Sequence, residues 1–135
     1  MLCLGRPASG EVFNTGFARQ RFEIWRDDAP LVIDRANLTG GGELLNAQFG
    51  MQGYTTSASL MATPVTPDML DAVREKLVQH HSEGLFSATL IDGVLIVRAL
   101  THQAEQSRNV FIHVWQTLRP MLLHREACAP RIWAT

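Results

Sequence analysis

The most regular pattern in the chain is an alternation interrupted by one tight turn. Between residues 85 and 100, apolar side chains recur at every second position on both sides of Asp92-Gly93. Period two marks a strand with one buried face. Asp-Gly supplies the two positive-φ residues that a two-residue hairpin needs. With that turn fixed, Leu90 pairs with Leu95, Ala88 with Val97 and Phe86 with Ala99. All six share one face, which is therefore predicted to be core. The opposite face mixes Ser87, Thr89 and Arg98 with Ile91, Val94 and Ile96, so partial cover is expected there too.

Helical spacing flanks this hairpin. Thr66 suits an N-cap and Pro67 the first helical position. Leu70, Val73 and Leu77 follow at intervals of three and four. His80 and His81 are expected in the last turn, with Gly84 ending the helix. A second helix is predicted from about residue 102 to residue 119, on a stripe of Phe111, Val114 or Trp115, and Leu118. Pro120 should end or kink it. The tail PRIWAT, with Trp133, reads as extended.

The chain before residue 66 reads as strands and turns. Residues 21–26 alternate, with Phe22 and Ile24 on one side. DDAP at residues 27–30 is a turn signal, and residues 31–35 read as the returning strand. TGGG at residues 39–42 is a loop, and short strands are expected within residues 44–63. The fold class that results is α+β.

Composition narrows the possibilities. The chain has 135 residues, 46% of them hydrophobic, and a formal net charge of -1. That is one domain's length with enough apolar material for a core. The charge balance lacks the basic footprint of a nucleic-acid binder. The apolar runs fall far short of the ~18 residues of a bilayer span. Arg6, Pro7, Ser9 and Gly10 interrupt the start too early for a secretory signal. Cys3 and Cys128 stand alone, which fits a reducing, cytoplasmic setting and neither a disulfide framework nor a structural zinc pattern.

Candidate chemistry is sparse. Residues 2–11, LCLGRPASGE, hold two glycines five apart. A phosphate loop requires Gly-Lys-Ser/Thr after the second interval, but Gly10 is followed by Glu11, whose carboxylate would repel phosphate. A nucleophile elbow requires glycines two residues either side of the serine, and Ser9 has Pro7 and Glu11 there. TGGGE lacks the spacing of a dinucleotide fingerprint. His80, His81, His102, His113 and His124 show no i, i+4 pair with a nearby carboxylate, and surface or helix-end roles are expected. Asp34 is different, because it shares a strand face with Val32. A buried carboxylate is costly unless paired. Two readings stand: a salt bridge at the strand end with Arg19, Arg21 or Arg35, or a carboxylate lining a polar passage. Spacing alone favours the first.

Four ordered motifs change this picture. LCLGRPASGE, RFEIWRDDAPLVIDR at residues 21–35, FIHVWQTLRP at residues 111–120 and the terminal PRIWAT closely resemble the urease accessory protein D family, called UreD or UreH. The resemblance implies a maturation factor for the nickel enzyme urease rather than an enzyme. It implies a cytoplasmic complex with accessory proteins F and G, the latter a GTPase, docked on the urease apoprotein. The implied fold is a β-rich, β-helix-like stack with two C-terminal helices. The implied nickel route is a water-filled passage lined by acids. The acidic position of PLVIDR falls on Asp34, which sets the passage reading level with the salt bridge. Gly5, Arg6, Pro7, Gly10 and Glu11 belong to the family's most recognisable stretch, and with Cys3 and Arg35 they are expected to be structural. A passage should hold nickel weakly, which scattered carboxylates do better than a His/Cys cage.

In the family, LCLGRP lies near the middle of the chain. Residues 1–135 are therefore expected to be the C-terminal part of a single UreD domain, with a β-rich N-terminal half absent and Met1 open as an internal methionine. Two rivals remain: a non-functional fragment of a split gene, and a small hydrolase using a histidine with Ser9 or Ser87.

Overall fold

A computed structural model describes residues 1–4, 10–80 and 83–128 of the chain. Strand β1 spans Leu2–Cys3, β2 Phe17–Arg26 and β3 Ala29–Thr39. A short 3-10 turn at Glu43–Leu45 leads through loops to β4, Thr56–Ala62. Helix α1 is Pro67–Gln79, β5 Leu85–Ile91, β6 Val94–Thr101 and α2 Ala104–Leu123. The described strands form a four-stranded antiparallel sheet of order β1-β4-β6-β5 and a separate β2-β3 ribbon.

The two helices cover one face of the four-stranded sheet, and the ribbon covers the other. Strand β6 shows this best. Its odd positions Leu95 and Val97 pack with Val73 of α1 and with Val114 and Leu118 of α2. Its even positions Val94 and Ile96 pack with Val32 of β3, and Ile24, Leu31 and Met61 join them. Burial on both faces explains why VLIV is apolar without a break, as in any strand sandwiched between layers.

The β5-β6 hairpin has the predicted register: Leu90 with Leu95, Ala88 with Val97, Phe86 with Ala99. Asp92 and Gly93 both take positive φ, 46° and 75°, as the tight turn requires. The helix-facing side is core as expected. The opposite side is covered more fully than expected at Val94 and Ile96, which are 0% and 3% exposed.

Helix α1 begins as predicted, with Thr66 as N-cap and Pro67 next. It ends earlier than expected: His80 is the C-cap, in extended conformation, and Gly84 belongs to the approach to β5. A Cβ on Gly84 would come within 2.7 Å of the Leu100 carbonyl oxygen, so this glycine permits a close strand approach. His81 and the tail, including Trp133, lie outside the described residues. Helix α2 runs through Pro120 instead of stopping at Arg119, and His124 closes it in left-handed conformation, donating its N–H to the Pro120 carbonyl at 3.0 Å. Proline removes one N–H, and the apolar stripe continues to Leu122, so packing carries the helix past it. Val114, and not Trp115, lies in the core.

The early strands are longer than expected, and the first turn is tighter. Asp27 and Asp28 make it alone, both at positive φ, and Ala29 and Pro30 already belong to β3. Within residues 44–63 only β4 is a strand. The β-helix-like stack does not appear among the described residues. Both hairpins reverse through two-residue turns, which produces antiparallel neighbours, whereas a β-helix needs parallel strands stacked coil on coil.

Candidate functional site

The sequence places a carboxylate, Asp34, on a strand face beside apolar Val32, and the ribbon carries it inward. Alternation along β3 points Val32, Asp34 and Ala36 at the four-stranded sheet, and sends Ile33, Arg35 and Asn37 outward. On β2 the partner of Asp34 is Phe22. Across the layer gap stands Arg98 of β6, whose Nη2 donates to Asp34 Oδ1 at 3.2 Å. Gln20, Ser57 and Ser59 complete a small polar cavity of about 100 Å³ around the pair. That is room for a few water molecules, each of which occupies about 30 Å³ in the liquid.

Asp34 is salt-bridged, and it borders a small polar gap between the layers. Its partner is Arg98 and not Arg19, Arg21 or Arg35. Those three occupy odd positions of the ribbon and face away from it. Arg98 carried a sequence signal, since it is the one charged residue in a β6 that is otherwise apolar but for its terminal Thr101. The face opposite it could not be read locally, because Asp34 is 64 positions away.

The donor set is weak for a metal. Among the described residues no group of three or more His, Cys, Asp and Glu side chains converges. The gap offers one carboxylate, two hydroxyls and an amide. These are oxygen-rich ligands that exchange readily, and the Arg98 guanidinium opposes a cation beside Asp34. Such a donor set would hold a divalent ion only weakly.

Other sequence candidates fall elsewhere. Gly5, Arg6 and Pro7 lie outside the described residues, as does Ser9. Gly10 has φ 72°, and with Glu11 it lines a cavity of about 340 Å³ bounded by Leu4, Val12 and Tyr54. Cys3 and Cys128 are both exposed. His80 and His113 bring their rings to 4.9 Å, and His102 lies 4.6 Å from Tyr54. His80 caps α1 and His113 lies mid-way along α2, and positions neighbouring in sequence gave no hint of these contacts. Ser87 is exposed and has no hydrogen-bonded histidine among the described residues.

On the outer face of the ribbon, Glu23 accepts from the Trp25 indole at 2.9 Å and pairs with Arg21. The indole hydrogen bond is the largest cause holding its carboxyl below the usual glutamate range; desolvation opposes it, and the Arg21 hydrogen bond and the charges of Arg21 and Arg35 add to the lowering. A depressed carboxylate stabilises the fold above its unfolded pKa, and that contribution fades as pH falls through the folded value. Trp25→Phe is expected to move the Glu23 titration upward, toward an ordinary glutamate. An NMR pH titration of the side-chain carboxyl reads this directly, and an unchanged midpoint would remove the indole as the main cause.

Comparison with known proteins gives a consistent result. The family model described as UreD urease accessory protein matches residues 1–134. The chain is 41% identical over 135 residues to the urease accessory protein UreD of Citrobacter koseri, covering all of this chain and 45% of that protein. It is 40% identical over 136 residues to the UreD of Nitrosococcus oceani, again covering all of this chain and 45% of the relative. For the UreD of Pseudomonas savastanoi pv. phaseolicola the values are 38% over 136 residues, all of this chain and 48% of the relative. The chain thus spans about half the length of the curated relatives it matches.

Proposed function

Because the chain belongs to the UreD urease accessory protein family, we propose that it serves urease maturation as a non-catalytic scaffold. It works within a complex of urease accessory proteins F and G on the urease apoprotein, in the cytoplasm, and it helps nickel reach the urease active site. The reading takes residues 1–135 as the C-terminal part of a UreD domain. Nickel is cargo here and not a resident cofactor. No helix among the described residues is long and apolar enough to cross a membrane, which is compatible with this setting.

One observation carries the nickel part of the reading: Asp34 faces a polar gap of about 100 Å³ between two layers that are otherwise packed with apolar side chains. An ion pair this exposed gains little stability, about 0–1 kcal/mol. Arg98 is 57% and Asp34 23% exposed at the side chain. A role in moving a cation accounts for the pair better than stability does. Arg98 keeps the carboxylate occupied until a divalent ion displaces the guanidinium, and the weak donor set then releases the ion.

The test is urease activation with the 135-residue chain, accessory proteins F and G and the apoprotein expressed together. Asp34→Asn is expected to lower the nickel content of urease about tenfold, the scale seen when a carboxylate near a metal is removed. Arg98→Gln, which leaves Asp34 unneutralised, is expected to raise nickel loading or leave it intact. Co-purification is scored separately. If wild-type chain fails to co-purify with any of the three partners, the maturation reading is lost. If it co-purifies but Asp34→Asn loads nickel normally, only the passage is lost.

A further inference from the structure

The outer face of the β2-β3 ribbon takes no part in the gap around Asp34, and nothing in the described chain covers it. Alternation brings Arg19, Arg21 and Glu23 of β2 to this face, beside Arg35 and Asn37 of β3. Arg21 stands directly opposite Arg35. Like charges at facing positions work against the hairpin. One carboxylate answers three guanidiniums: Glu23 pairs with Arg21, and the Arg35 charge reaches it from across the ribbon. Arg35 itself has no hydrogen bond or salt bridge among the described residues. Arg19 lies over the Phe17 ring, 4.9 Å from its centroid, a contact that holds the guanidinium in place without cancelling its charge. Arg19, Arg21 and Arg35 border a shallow groove of about 630 Å³, which Phe17, Asn37 and Thr39 also line.

We infer that this face docks an extended acidic segment of a partner protein. Charge complementarity is the first argument, because three guanidiniums against one carboxylate leave the face positive and Arg35 has no hydrogen bond or salt bridge among the described residues. Spacing is the second. Arg19 and Arg21 are two residues apart on one strand, about 6.6 Å along its axis, and an extended segment presents alternate side chains at the same interval. Acidic residues at every second position would meet the two forks in register, and Arg35 widens the row sideways. Guanidinium forks grip carboxylates in bidentate fashion, which suits a peptide better than a diffuse charge. The third argument is the apolar end of the face. Trp25 is 54% and Ile33 44% exposed at the turn end of the ribbon, and tryptophan beside arginine is the usual composition of an interface anchor. Glu23 in the middle of the row disfavours a phosphate backbone, and the net charge of -1 gives no general pull on nucleic acid.

The surface and its occupant do not depend on the maturation reading, because any partner with this pattern qualifies. The probe is a fluorescent peptide of alternating glutamate and serine, titrated with the 135-residue chain at low salt and followed by anisotropy. Tight, salt-sensitive binding is expected, weaker for a peptide whose glutamates are grouped in one block. The double variant Arg19→Glu with Arg35→Glu should weaken binding about tenfold or more, as charge reversal at a complementary face does. Lys76→Glu, on the opposite helical side in α1, should not. Arg35→Gln alone relieves the facing like charges, so it should keep or raise the thermal midpoint while still lowering affinity. The inference is overturned if wild-type chain does not bind the peptide or binds the block peptide equally well. It is also overturned if polyuridylate RNA or phosphatidylserine vesicles bind more tightly, or if Lys76→Glu weakens binding as much as the double variant.

Discussion

Leu95→Ala is expected to lower the folding free energy by about 2–5 kcal/mol, the range for a leucine deleted from a packed core. Leu95 is 0% exposed. It sits on β6, which is hydrogen-bonded to β4 on one side and to β5 on the other. Its side chain meets the helix-facing cluster of Val73, Val97, Val114 and Leu118. Two flanking strands and two covering helices leave little room for collapse into the cavity, so the upper half of the range is expected. A urea titration followed by circular dichroism measures it as a shift in midpoint at constant slope. Ile91→Ala provides the contrast, since Ile91 is 44% exposed at the end of β5, and its loss should be less than half as large. Equal losses at the two positions would mean that β6 is not the centre of the core.

Thr101→Val is expected to cost about 1–3 kcal/mol, the penalty for stranding buried hydrogen-bonding groups. Thr101 and Ser107 are both 0% exposed. The Thr101 hydroxyl donates to the Gln103 carbonyl at 2.9 Å and lies 2.8 Å from Ser107 Oγ. With its single proton committed to Gln103, Thr101 accepts from Ser107. Valine keeps the shape but leaves the Gln103 carbonyl and the Ser107 hydroxyl without these partners. Ser107→Ala removes only the second donor and should cost clearly less. The pair closes the turn from β6 into α2, where the Gln106 side chain also accepts from the Gln103 backbone N–H at 2.9 Å. A double-mutant cycle in urea isolates the coupling. Additive single losses would mean that the two hydroxyls do not interact in the folded chain.

The contrast between these two sites is also the contrast in what could be read in advance. Leu95 was legible because the turn at Asp92-Gly93 sets the register and period two sets the face. The Thr101–Ser107 pair was not, since it depends on how sharply the chain turns from strand to helix. The acidic candidate behaved in a mixed way. Its inward orientation followed from sharing a face with Val32, while its partner did not follow from anything nearby. Arg35 is adjacent to Asp34 in sequence and points to the opposite face, and Arg98 is 64 positions away and touches it.

By itself, then, the sequence determined the elements and their faces: the β5-β6 register, the start of α1 at Pro67, the apolar stripe of α2 and the inward face of β3. These depend on periodicity, turn chemistry and caps, which act over a few residues. Tertiary structure decided what each face meets. It laid the β2-β3 ribbon on the even side of β6, joined Asp34 to Arg98, brought the rings of His80 and His113 together and carried α2 past Pro120. An amphipathic face states that it must be covered and not by what. The choice among possible covers rests on packing summed over the whole core, and no local pattern encodes that sum.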